Sequence, residues 1–214
     1  MINTFLENPL SFFIYLSALF TAITVHEFAH AFVADYLGDP TPRLAGRLKL
    51  DPRVHIDLTG LLFLFFFGFG WGKPVPFDPY NLKNPRREAA LISLAGPISN
   101  FILALILSIS LRLFNFFGNG FLSTIGYFLF IPFIQLNLIL AVFNLLPIHP
   151  LDGFKIVGGF LSENQAKEWY QLERYGLIFL LMLIFPFGNQ SMLDITLKPI
   201  FKILLNLLVP ISSI

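Results

Sequence analysis

Long apolar runs dominate the chain, and polar or turn-forming residues cut them into segments. The first run extends from Pro9 to Leu37. Asn8-Pro9 reads as an N-cap followed by proline in the first helical turn, and Gly38 reads as the stop. A helix over 9–37 would be roughly 43 Å long at about 1.5 Å per residue. That exceeds the roughly 30 Å hydrocarbon thickness of a bilayer, so its last turns should emerge into water. Asn84-Pro85 repeats the start signal and opens a second long helix to about Phe117, ended by Gly118, with a kink expected at Gly96-Pro97. A third helix is expected over 121–146, with Pro132 inside it and a break at Pro147. Ser162 with Gln165 makes a capping box for a fourth helix to about Phe185. A fifth segment, 193–209, carries Lys198, Pro199 and Lys202 and either spans or lies in the interface.

The intervening stretches change character. Residues 39–57, "DPTPRLAGRLKLDPRVHID", cluster Arg43, Arg47, Lys49 and Arg53. Alternation in "RLKL" predicts a short strand over 43–50. "TGLLFLFFFGFGW" (59–71) is apolar but too short to span and is interrupted by glycines, which predicts a re-entrant or surface-dipping element. "GKPVPFDPYNLKNPRR" (72–87) is expected to be an extended connector.

Composition turns this pattern into a class. The 214 residues are 56% hydrophobic and include 27 Phe, and only 13% are charged, about half the usual share of soluble proteins. The expectation is an all-α polytopic membrane protein with four to five membrane helices and a small strand or re-entrant element on the cytoplasmic side. It would form a single domain over 1–214, with a core at about 9–155 and C-terminal helices at about 162–210. The N-terminus lacks a basic region, so no cleavable signal is expected. A net charge of +1 gives no sign of nucleic-acid binding, and the absence of Cys excludes disulfides and thiolate chemistry. The loops at 39–57, 72–87 and 147–174 hold 11 of the 14 Lys and Arg residues, which makes them cytoplasmic by the positive-inside rule. The end of the first helix and the loop after the third then lie at similar depth on that side.

"HEFAH" (26–30) sits near the end of the first apolar helix. His26 and His30 are one turn apart on one face, about 40° around the axis, and two imidazoles so placed can hold one metal. Glu27 projects beside them, where it can take a proton from a water that zinc has acidified. Ionisable groups in a membrane cost at least about 2.5 kcal/mol each on insertion scales, so three together require an explanation. Asp35 lies about 140° from His30 around the helix, on the wrong side. His55 lies in the basic loop, and His149 and Asp152 lie in the 147–153 loop at the right depth. A carboxylate would complete a two-His, one-carboxylate site. Two other classes compete: a membrane scaffold that keeps a metal site without catalysis, and a solute transporter. Glu27 argues against the first, and the absence of a mid-helix relay of ionisable residues against the second.

"HEFAH" on an apolar helix followed by "NLLPIHPLDG" (144–153) resembles the site-2 protease family of intramembrane zinc metalloproteases, in its compact bacterial form without an extra sensor domain. "GRLKLDPRVHIDLTG" (46–60), "GWGKPVPFDPYNLKNPRR" and "AGPISN" (95–100) extend the resemblance over about residues 20–155. It implies one Zn2+ per chain held by His26, His30 and Asp152, with Glu27 activating water. Asn144 would steady the substrate backbone or the developing oxyanion. The implied partner is a membrane-anchored protein with a transmembrane helix, cut in regulated intramembrane proteolysis. The enzyme would lie in the cell membrane as a multi-pass protein, with its active site near the cytoplasmic face. His149 stands where the family pattern more often has proline, and reads as a loop surface residue. His55 and Asp57 match the family's "HID" segment and read as a structural or substrate-edge pair. Asn100 is balanced between a functional role and a packing hydrogen bond. A strand at 43–50 would offer an edge to an unwound substrate, with "GFGWGKPVP" lining the approach.

Overall fold

In a computed structural model, residues 7–67, 70–118, 120–187 and 190–209 are described. Three helices carry the architecture: α1 (Pro9–Tyr36), α5 (Pro85–Phe117) and α6 (Gly120–Asn144). They are the described helices long and apolar enough to cross a membrane. Between α1 and α5 lie two helical turns, α2 (Thr41–Leu44) and α3 (Pro52–His55), and a ten-residue helix, α4 (Leu58–Phe67). After α6 come α7 (Asp152–Phe160), α8 (Glu163–Gln171), α9 (Gly176–Ile184), the two-residue strands β1 (Pro186–Phe187) and β2 (Gln190–Ser191), paired antiparallel, and α10 (Met192–Leu208).

The boundaries follow local chemistry. The Asn8 side chain accepts from the Ser11 N–H at 3.0 Å, with Pro9 behind it. Beyond Tyr36 the chain turns through Gly38 at φ 108°, a conformation only glycine adopts cheaply. α5 starts at Pro85, with the Glu88 carboxylate accepting from the Lys83 N–H, and ends at Gly118.

Small residues set how closely the helices approach. Ala18, Ala22, His26, His30 and Ala34 are all buried at four-residue intervals on α1. Gly96, Asn100, Ala104 and Ser108 do the same on α5. In lipid, helix association rests on this close packing and on interhelical hydrogen bonds rather than on escape from water. α5 is the central helix, packed on α1, α6 and α7. At its far end Ala104, Leu111, Ile134, Leu138 and Leu208 form an apolar cluster across α5, α6 and α10.

Several expectations are corrected. Residues 43–50 form no strand: the helical turn α2, with Pro42 in its first turn, takes in Arg43 and Leu44, and irregular backbone follows. Extended pairing in this region is a single antiparallel bridge between Ile56 and Gly72. Helix 162–185 is divided. Gln165 caps Ser162 as expected, but a 3-10 turn at Leu172–Tyr175 separates α8 from α9. At nine residues, α9 is about 13 Å long; α10, at 17 residues, is about 25 Å. The apolar 59–71 stretch does form a short element, about 15 Å long, with the backbone of Gly60 against that of Trp71. Gly68 and Phe69 lie outside the described residues.

Asp39 holds the basic loop to the connector. It is fully buried, and its carboxylate accepts from the Thr41 N–H and hydroxyl, the Asp78 N–H at 2.7 Å and the Asn81 amide at 2.8 Å. Burial alone pushes its carboxyl up, but these donors outweigh it and hold it below the usual carboxylate range. Asp39→Ala is expected to cost about 2–4 kcal/mol, read as a lower unfolding midpoint in detergent. Because the folded-state pKa is depressed, the gap from wild type should be constant above about pH 4 and close as pH falls below it.

Candidate active site

His26 and His30 project from the buried face of α1, and Asp152 is the first residue of α7. The Asp152 Oδ2 lies 3.1 Å from His26 Nε2 and 3.3 Å from His30 Nε2. α7 can bring it there because Gly153 packs directly under the Leu145 and Leu146 carbonyls, where a side chain would collide.

The remaining ring nitrogens are held elsewhere. His30 Nδ1 lies 2.7 Å from the Ile92 carbonyl, which can only accept, so Nδ1 carries the proton. His26 Nδ1 lies 2.6 Å from Asn100 Oδ1. The Asn100 amide donates to the Ala22 carbonyl at 2.9 Å and to Asn137 Oδ1 at 2.7 Å. The Asn137 amide donates in turn to the Phe133 carbonyl. Both amide orientations are thereby fixed, and Asn100 Oδ1 must accept from His26. In their neutral forms both imidazoles then present an Nε2 lone pair.

Two nitrogen lone pairs and a carboxylate oxygen aimed at one point repel unless a proton or a metal ion lies among them. Tetrahedral coordination at about 2.0–2.1 Å places ligand atoms about 3.3 Å apart, which matches the observed separations. These three residues could hold a metal ion. Gly96 faces the group from α5: a Cβ there would lie 2.5 Å from His30 Nε2 and 2.6 Å from His26 Cε1.

A 380 Å³ cavity opens beside the group, walled in part by Glu27, Asn144, Trp71, Val75, Lys155 and Leu180. The Glu27 Oε2 accepts from the Val75 N–H at 3.2 Å. That connector is held from behind by Arg47, which is 5% exposed and donates to the carbonyls of Val54 at 2.6 Å, Lys73 at 3.1 Å and Pro74 at 3.0 Å. Burial pushes the Arg47 pKa down, and the Glu27 charge opposes the shift.

The chain matches known proteins at this point. It is 40% identical over 192 residues to YwhC of Bacillus subtilis (strain 168), which carries a zinc metalloprotease name, covering 87% of this chain and 88% of that one. The model of peptidase family M50 matches residues 118–185. The chain belongs to peptidase family M50. It is a zinc metalloprotease of the site-2 protease family, and an integral membrane protein. Rip2 of Mycobacterium tuberculosis (strain ATCC 25618 / H37Rv), also named as a zinc metalloprotease, is 34% identical over 178 residues, covering 80% of this chain and 66% of its own length. A solved structure, the site-2 protease from Methanocaldococcus jannaschii, aligns with a TM-score of 0.49 at 22% identity, over 95% of this chain and 79% of that one.

The other sequence-derived residues of this M50 protease separate cleanly. Asn144 lines the cavity while donating to the Leu140 carbonyl of its own helix at 3.0 Å. His149 lies apart from the metal-type group, 3.7 Å from Glu173 and partly exposed. His55 is buried against the Lys49 carbonyl, and Asp57 accepts from the Gly60 N–H at the start of α4. Sequence reasoning missed Asn137 and Arg47. A polar residue in the middle of a mean-apolar helix is the signal that could have marked Asn137.

Asn100→Ala removes the acceptor on His26 Nδ1. It is expected to weaken zinc binding about 10- to 100-fold, measured by competition with a calibrated chelator, with helicity unchanged. Gly96→Ala drives a methyl into both imidazoles, and purified protein should carry well under half the wild-type zinc by elemental mass spectrometry.

Proposed function

We propose that this protease hydrolyses a peptide bond within or beside a transmembrane segment of a membrane-anchored protein, as a step of regulated intramembrane proteolysis. His26, His30 and Asp152 hold the zinc, Glu27 is the general base, and Asn144 steadies the substrate backbone. The site faces the cytoplasmic side of a multi-pass protein in the cell membrane. The observation that carries this reading is the convergence of two oriented imidazoles and one carboxylate, 126 residues apart in sequence, on a cavity that also holds Glu27.

Bound zinc supplies the Lewis acidity that polarises the scissile carbonyl and brings a water's pKa toward neutrality. Glu27 accepts the proton of that water at a carboxylate oxygen and can pass it to the leaving amine. The Val75 N–H fixes the carboxylate's direction without neutralising it. Asn144 uses one amide hydrogen within its helix and keeps a second donor for the substrate. Intact helices hide their carbonyls, so the substrate must reach the cavity unwound. Gly70, Trp71, Gly72, Pro74 and Val75 line its approach.

Removing the base while sparing the metal separates catalysis from a scaffold role. Glu27→Gln should keep about one zinc per chain yet lose about 10²–10⁴-fold in cleavage rate, scored as fragment release from single-span reporter proteins in liposomes. Undiminished cleavage or cellular function in that variant would sink the protease assignment of Glu27. Asp152→Ala should lose both zinc and activity; full zinc in it would remove Asp152 from the ligand set.

A further inference from the structure

A second concavity, of 870 Å³, lies against the first. Its walls come from the connector, the first turn of α5, α7 and α8. Arg86, Arg87, Lys155 and Lys167 line it, with Glu163 the one carboxylate among its described lining residues and Tyr170 at its edge. Among the described residues no carboxylate lies within ion-pair distance of any of the four cations. The Lys155 ammonium instead sits 4.9 Å over the Phe77 ring.

Phe77 and Lys155 line both this groove and the catalytic cavity. Lys155 is one helical turn beyond Asp152 on α7. A chain leaving the cavity past Phe77 therefore enters the basic groove directly. The apolar part of the groove is proline, alanine and ring surface, with no Leu, Ile, Val or Met to receive an acyl tail. That favours a polypeptide over a lipid.

We propose that this groove is a substrate subsite: it holds the segment flanking the scissile bond on the cytoplasmic side and selects for acidic residues there. The inference rests on the proteolytic reading of the adjoining site. Four cations around one carboxylate, none with a carboxylate partner among the described residues, attract an acidic flank and repel a basic one. Membrane proteins mostly carry basic cytoplasmic flanks, so the groove discriminates against the common case and confines cleavage to an unusual class.

The test measures binding without cleavage. Full-length Glu27→Gln protein in nanodiscs of neutral lipid is titrated with fluorescent Glu-Gly, Gln-Gly and Lys-Gly repeat peptides of equal length. Glu-Gly should bind at least about tenfold tighter than Gln-Gly, with Lys-Gly weakest. Arg87→Glu and the exposed Lys167→Glu should each abolish that preference, while Lys202→Glu, on α10, should leave it unchanged. Equal binding of the three peptides would overturn the proposal, as would a preference that survives both groove variants. Loss of Glu-Gly binding on adding anionic lipid, with Arg87→Glu reducing co-purified anionic lipid, would assign the groove to headgroups instead and also overturn it. Lys167 is exposed on a short surface helix, so its variant reads the groove even if Arg87→Glu fails to fold. No arm needs catalysis, so failure here leaves the Glu27 experiment standing, and the reverse holds too.

Discussion

Everything in this protein depends on fixing the protons of two histidines inside a membrane bundle. An imidazole can present either nitrogen, and only a proton held firmly on Nδ1 leaves Nε2 free for a metal. Here the Ile92 carbonyl does this for His30, and an amide relay from Phe133 through Asn137 and Asn100 does it for His26. The relay runs through α6 and α5 to reach α1. The three long helices therefore cannot shift relative to one another without disturbing the metal-type group. A polar network in lipid is expensive when half-satisfied and rigid when complete.

That demand explains the small residues. For Asn100 to reach both Ala22 and His26, α1 and α5 must lie close, which the alanine stripe of α1 and Gly96 of α5 permit. Beyond the end of α1, polar anchoring replaces close packing. Asp39 and Arg47, both buried, gather the backbone of the connector from opposite signs of charge: Asp39 collects N–H groups and Arg47 collects carbonyls. The result is an irregular loop stiff enough to aim the Val75 N–H at Glu27.

Much of this was legible in the sequence, where a local signal had a single reading. Asn8-Pro9, Gly38 and Gly118 mark helix ends by backbone chemistry that tertiary contacts do not override, and the four-residue spacing of His26 and His30 needs no context. Topology placed the loop of His149 and Asp152 at the right depth, and the family resemblance singled out Asp152 of the two. The errors fall where a weak local pattern met a strong tertiary one. "RLKL" alternates over only four residues, and Arg47, expected on a strand, turns inward to three carbonyls. The 162–185 segment carries no proline, yet it breaks before Gly176. A Cβ at Gly176 would come within 2.5 Å of His149, so close packing on the 147–151 loop accompanies the break. Asn100 and Asn137 were individually visible, but their pairing across two helices is a property of the packed bundle alone.

The same constraint bears on how a substrate is admitted. The rigid part of the molecule is the three-helix core with its oriented ligands. The described walls of the cavity at 56–67 and 70–72 are built differently: a short helix and a single β-bridge. Local opening is easiest where backbone hydrogen bonds are few and buried contacts sparse. A peptide must arrive without its helical hydrogen bonds, and the cavity walls facing it are those with least regular structure. Separating an oriented, immobile metal-type group from a loosely bonded approach lets the chain admit an extended backbone without disturbing the protons on which its histidines depend.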